Sequence, residues 1–275
     1  MSAAVIGAVA RASLAEARER LETVLATADL AELGGELFAV LHLVDREHGL
    51  RRAISDPSAR PQAKADLVAG LLDGKVSAAA SSVVQDVVRL RWTRPSELAD
   101  ALETLAVTAE AARAEADGVL DDLEDELFRF SRIVEGEPQL RTALTDPALP
   151  DDRKDGLLSA LLDGKVTPSA RRLIGELVLH PRGRSLESGL AHYGRLVAQR
   201  RQRLVALVRS AVDLTERQRT RLAAVLSAAY GHEVHLNIEI DPSVLGGLSI
   251  QIGDEVIDGT IAGRLDEVRR RLAGG

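Results

Sequence analysis

Four groups of residues in this 275-residue chain are of types that could do chemistry. Gly74-Lys75 and Gly164-Lys165 lie in two identical LLDGKV segments and suggest a phosphate cradle. Such a loop needs a second Gly five residues before the first, a Ser or Thr after the Lys, and a preceding strand, none of which is present. A helical turn accounts for both segments. His232 and His235 are the close pair among six otherwise scattered histidines. Three apart on a strand they point to opposite faces, and HEVH is one residue short of the helical zinc-protease pattern, so no metal site is expected. Ser210 and Ser243 lack a nucleophile elbow and a recognisable base. Asp254, Glu255 and Asp258 could exchange protons only if burial split their pKa values; around a surface turn and a helix start, they read as acids placed favourably at a helix N-terminus. The sequence therefore predicts no catalytic residue, no cofactor-binding residue and no metal ligand.

The elements that hold these residues are organised by an internal repeat. Without gaps, an offset of 90 residues aligns Glu36-Leu37-Phe38 with Glu126-Leu127-Phe128, Leu50-Arg51 with Leu140-Arg141, Asp56-Pro57 with Asp146-Pro147, and Lys64 with Lys154. The two LLDGKV segments, 71–76 and 161–166, fall in the same register. Leu30, Leu33, Leu37, Val40 and Val44 map onto Leu120, Leu123, Leu127, Phe130 and Val134, which is helical spacing in both copies. Asp-Pro reads as a helix stop and restart, and Asp-Gly-Lys as a second break. Each copy then ends in a longer helix, one starting after Pro95 with Leu98, Leu102 and Leu105, the other using Leu186, Leu190 and Val197. Segment 3–28, with Leu14, Leu21, Val24 and Leu25, supplies one more helix.

Beyond about residue 204 the period becomes alternating. LVALVRSAVDL at 204–214 reads as a helix end running into a strand, and Thr215 with Gln218 as a capping box that opens a helix closed by Gly231. VHLNIEI and LSIQI alternate as strands around Asp241-Pro242-Ser243 and Gly246-Gly247. A Gly253-Asp254 turn and a helix using Ile261, Leu265, Val268 and Leu272 complete a small module. The expected fold is mainly α with a small α+β C-terminal domain: repeat copy one at 1–118, repeat copy two at 119–207, and the mixed module at 208–275, with the change of character near 205–210.

Composition narrows the function. The chain is 45% hydrophobic but 2% aromatic, so its core must come from Ala, Leu, Val and Ile, a composition that favours close helix packing. Net charge is -7, against a nucleic-acid partner. Arg195, Arg200, Arg201 and Arg203, like Arg217, Arg219 and Arg221, read as solvated helix faces, as do Asp121, Asp122, Glu124, Asp125 and Glu126. Without Cys there are no disulfides or thiolate sites, and a reducing compartment is the simplest address. No stretch is apolar enough to span a membrane and the first residues lack a basic leader, so membrane association would be indirect.

From Val234 to Gly253 the pattern Val234, Leu236, Ile240, Asp241, Val244, Gly246, Gly247, Leu248, Ile250, Gln251, Gly253 resembles the signature of the delta (oligomycin-sensitivity-conferring) subunit family of ATP synthases. LRTALTDP followed by Lys154 resembles the end of that family's helical domain, so the likeness covers about 120–275 directly and 1–119 through the repeat. Two helical copies where ordinary members have one resemble the long actinobacterial form, without the stalk helix that some of those carry fused in front. The resemblance implies a non-catalytic stator subunit linking the catalytic head to the peripheral stalk and resisting rotary torque. It implies contacts with the N-terminal helices of the alpha subunits and with a b-type stalk subunit, at the cytoplasmic face of the plasma membrane. A generic helical protein–protein adaptor unrelated to energy coupling remains the alternative, with an enzyme of unrecognised site behind it.

Overall fold

The computed structural model describes residues 7–201, 204–230, 234–241, 244, 246–252 and 255–258. Two compact units divide the chain, Met1–Arg200 and Arg201–Gly275. The first is helical. After α1 (Ala8–Leu25), copy one runs through α2 (Leu30–Arg46), α3 (His48–Ser55), α4 (Pro61–Leu72), α5 (Ala78–Arg89) and α6 (Pro95–Ala116). Copy two follows with α7 (Leu120–Gly136), α8 (Pro138–Thr145), α9 (Asp151–Leu162), α10 (Pro168–Leu179) and α11 (Leu186–Arg201). The first four helices of the two copies match residue for residue at the 90-residue offset.

The local devices repeat as well. The Glu36 carboxylate accepts the Ser77 backbone N–H (2.7 Å) and hydroxyl, and Glu126 accepts the same two donors from Thr167 at 2.9 and 2.7 Å. Each hydroxyl in turn caps its helix, accepting from Ala80 N–H or Ala170 N–H at 3.2 Å. Gly74 and Gly164 adopt φ of 66° and 72°, a left-handed turn that ends α4 and α9. The Asp-Pro pairs stop α3 and α8, but the helices do not restart there. Asp56 accepts the N–H of Ser58, and Asp146 that of Ala148, both at 2.8 Å; this local turn delays the next helix to Pro61 and to Asp151.

The sequence gives α6 an apolar stripe of Leu98, Leu102 and Leu105, yet the helix is buried on every side from Ala101 to Ala112. Ala99, Ala101, Ala106, Ala109, Ala111 and Ala112 keep its surface narrow enough for neighbours to close in all round. Thr104 and Thr108 bond back to the carbonyls of Asp100 and Thr104 at 2.8 Å, so burying their hydroxyls leaves no donor unpaired. Copy one packs on α6 through α2, α3 and α5, and copy two through α7 and α10. The helix also has a relation to α1: residues 8–25 advanced by 90 become 98–115, so α6 stands to copy two as α1 stands to copy one.

The second unit is a four-stranded mixed sheet, order β2-β1-β3-β4, built from β1 (Leu204–Ser210), β2 (Val234–Ile240), β3 (Leu248–Ile252) and β4 (Glu255–Asp258), with α12 (Glu216–Tyr230) joining β1 to β2. Ala206, Val208, Leu226, Val234, Ile250 and Ile252 form its own small core. β1 and β2 are parallel, in register Leu204 with Val234, and β3 is antiparallel to β1. Thr215 and Gln218 form the capping box, Thr215 N–H donating to Gln218 Oε1 at 2.9 Å. Two expectations are corrected. Residues 204–210 are strand throughout, since β-branched Val208 suits a pleated core, where it is buried. Glu255 and Asp258 lie on β4 rather than at a helix start, because Val256 and Ile257 extend the sheet by pairing with Gln251 and Ile250. The expected closing helix with Ile261, Leu265, Val268 and Leu272, and Gly231, His232, Pro242, Ser243, Gly253, Asp254 and Arg203, lie outside the described residues.

Candidate interaction surface

The chemistry-bearing groups of the helical unit gather where copy one meets copy two, and nearly all are occupied in holding that junction. Gly34 and Gly35 let α2 lie directly on α6: a Cβ at Gly34 would collide with the Glu110 carboxylate, and one at Gly35 would sit 3.1 Å from Arg172 Nη1. Glu110 has no solvent exposure and receives Arg172 at 2.6 Å; Arg172 and Arg113 both donate to the Ala31 carbonyl, and Ser169 to the Glu110 carbonyl. Burial pushes the Glu110 carboxyl above its ordinary pKa, with the Arg172 guanidinium opposing.

A second cluster surrounds Glu103, also on α6. Its carboxylate takes Arg182, Arg184 and the Tyr193 hydroxyl, the last at 2.9 Å. Arg182 holds a left-handed φ of 50°, unusual for a side-chain-bearing residue, and is kept there by Glu103, Asp45 at 2.7 Å and Asp100 at 3.1 Å. Burial and the Glu103 charge raise the Tyr193 pKa, so this phenol remains a donor. A cleft of about 380 Å³ opens beside the cluster, lined by Leu14, Trp92, Arg94, Arg184 and His192 among others. The charges along it neutralise one another, so the cleft carries no free charge with which to fix a polar ligand.

Arg200 departs from its reading as a solvated residue. Its side chain is 12% exposed and bridges Glu22 of α1 (2.9 Å) and Glu115 of α6 (2.7 Å), a tie that a charge run along one helix could not disclose. Glu126 likewise serves as a cap rather than as part of a free acidic face.

Histidine chemistry appears where spacing gave no hint of it. His42 on α2 meets Glu176 on α10, Nε2 to Oε2 at 2.7 Å, and its ring lies 3.7 Å from that of His180 at the end of α10. The two histidines belong to different copies. The available signal was negative: their repeat counterparts are Arg132 and Leu90, so both positions break the repeat.

In the second unit the singled-out residues are spread along the sheet. Val234 and Ile250 are in its core, Leu236, Val244 and Leu248 are half-buried, and Ile240 and Gln251 are exposed. Asp241 N–H donates to the Ser210 carbonyl at 2.9 Å, tying the end of β2 to the end of β1. Gly246 and Gly247 take φ of 67° and 84°, the left-handed backbone that turns the chain into β3. Ser210 is buried and accepts from Val212 N–H at 3.4 Å, with no base beside it among the described residues.

A seat for a partner helix can be found by applying the repeat to the junction. In copy two, the side of α6 and α10 is covered by α2. Moved back by 90 residues, the same seat falls on α1 and α5, where Glu110 becomes Arg20, Arg172 becomes Ser82, Glu176 becomes Asp86, and the buried Ala99 becomes Val9. Val9 is 52% exposed, and Ser82 and Glu16 are exposed too.

Comparison with known proteins matches residues 99–272 to the ATP synthase delta (OSCP) subunit family, the match opening inside α6. The chain is 52% identical to ATP synthase subunit delta of Thermobifida fusca, over 97% of this chain and 99% of that one. It is 47% identical to the Streptomyces griseus subunit, over 98% and 100%, and 46% identical to that of Kineococcus radiotolerans, over the full length of both.

Proposed function

Because the chain belongs to the ATP synthase delta (OSCP) subunit family, a component of the peripheral stalk, we propose that it joins the catalytic head to the stalk and resists rotary torque. In this reading the helical unit receives an N-terminal helix of an alpha subunit, the C-terminal unit receives the end of a b-type stalk subunit, and catalysis belongs to other subunits. The site of action is the cytoplasmic face of the plasma membrane, reached through the complex; no described helix is long and apolar enough to cross a membrane. The chain is taken as three functional parts, two helical copies and a mixed module.

One observation carries the assignment of ends. The helix-binding seat on α6 and α10 is filled by the chain's own α2, as the Gly34, Glu110 and Arg172 contacts require. Among the described residues of the helical unit, the equivalent seat on α1 and α5 leaves Val9, Glu16 and Ser82 exposed and can take a helix from elsewhere, so copy one is the head-binding copy. Two variants test this. Val9→Asp combined with Ser82→Trp, both on exposed positions, is expected to abolish binding to the head while binding to stalk helices persists. Truncation after Arg201 is expected to do the reverse, leaving ATP hydrolysis in membranes but no proton pumping. Wild-type pumping by the truncated chain would return the assignment to a generic adaptor.

A further inference from the structure

The cluster of His42, Glu176 and His180 has a use that the stator reading does not require. We propose that these three residues form a binding site for a first-row divalent cation, Zn2+ fitting best, that clamps α2 to the C-terminal end of α10. One ligand atom from each residue lies within 4.8 Å of the other two. Tetrahedral Zn2+, with bonds of roughly 2.0–2.1 Å, needs its ligands about 3.3 Å apart, so atoms within 4.8 Å of one another need draw together by about 1.5 Å at most. Glu176 and His180 are four apart at the helix end and so share one face, while His42 approaches from α2 across the junction.

The chemistry of the set selects the ion. Two imidazoles and one carboxylate, with no thiolate, favour Zn2+ and its neighbours over Mg2+ or Ca2+, which prefer oxygen-only sets. Three protein ligands leave the fourth position for water, and the exposed His180 gives access to it. Asp45 and Asp151 add negative potential around His180. Arg182, two residues along, is engaged by Asp45, Asp100 and Glu103.

Among the described residues, the set occurs at the junction alone. Its repeat counterparts are Arg132 for His42, Asp86 for Glu176 and Leu90 for His180, and Asp86 is taken up by Arg20 and Arg89. A clamp is useful there, since the α2 contact sets the geometry between copies that share one central helix.

Calorimetric titration of the untagged full chain with ZnCl2 tests the proposal. One Zn2+ per chain is expected, with MgCl2 giving no heat of binding. His42→Ala and His180→Ala should each weaken Zn2+ binding by about a hundredfold, and Glu176→Gln by at least about tenfold, in the range by which lost ligand-shell groups reduce metal affinity. His48→Ala, whose ring engages Arg51 and is not a member of the set, should bind as wild type does. Zn2+ should raise the melting temperature of the wild type but not of His180→Ala, and Co2+ should give the visible absorption of a four-coordinate ion with two imidazoles. Should His42→Ala disturb the fold, His180→Ala, at an exposed helix end, decides alone. Unchanged affinity in His180→Ala, or no Zn2+ binding by folded wild-type chain, would overturn the site.

Discussion

Copy one and copy two obey the same local rules and differ where they meet. Both run through four helices in identical register, cap the fourth with Ser77 or Thr167 under a Glu, and end the third on a left-handed Gly. Phe38 of copy one is buried at the junction, its ring 6.5 Å from Tyr193, whereas its counterpart Phe128 is 66% exposed. Gly34-Gly35, which admit α2 to α6, are replaced in copy two by Glu124-Asp125. Local signals thus fix the helices, and the residues that break the repeat fix how the copies combine.

That contrast can be broken at four points. The largest difference is expected at the aromatic pair: Phe38→Ala should cost about 3–5 kcal/mol in denaturant unfolding, and Phe128→Ala no more than about 0.5 kcal/mol. Equal costs would mean that the copies do not differ in what covers them. Next, Gly34→Val should cost about 1–3 kcal/mol by forcing α2 away from Glu110. Glu124→Val at the matching position should stay below about 1 kcal/mol. The caps test sameness instead. Glu36→Ala and Glu126→Ala should each cost about 1 kcal/mol, and a wide gap between them would show that the shared device is worth different amounts in the two settings.

The smallest effect concerns pH. Burial holds the His192 pKa below its ordinary value of 6.5, with Arg184, Arg195 and Arg18 acting the same way against the pull of Glu103. The unfolded chain therefore binds the proton more readily, and this group removes stability as pH falls through about 6.5 toward the folded value. Melting temperatures between pH 7.5 and pH 5 should fall less steeply in His192→Gln than in the wild type, as about one fewer proton is taken up on unfolding. An unchanged slope would place the proton elsewhere.

The sequence by itself determined the elements and their repetition, because helix period, capping residues and turn glycines act over three or four neighbouring positions. It also determined the family, through a run of strand and turn residues from Val234 to Gly253 whose order is written in the chain. It did not disclose that α6 is shared, that Arg200 ties α1 to α6, or that His42 meets His180. Nor did it reveal the strand at Glu255–Asp258, where pairing with β3 overrides a helix-start pattern. These were decided by tertiary structure, because each depends on which faces of distant helices or strands touch. A buried carboxylate such as Glu110 looks in sequence like any other on a helix surface; only the approach of α2 through Gly34 and of Arg172 from the other copy makes it the centre of the junction.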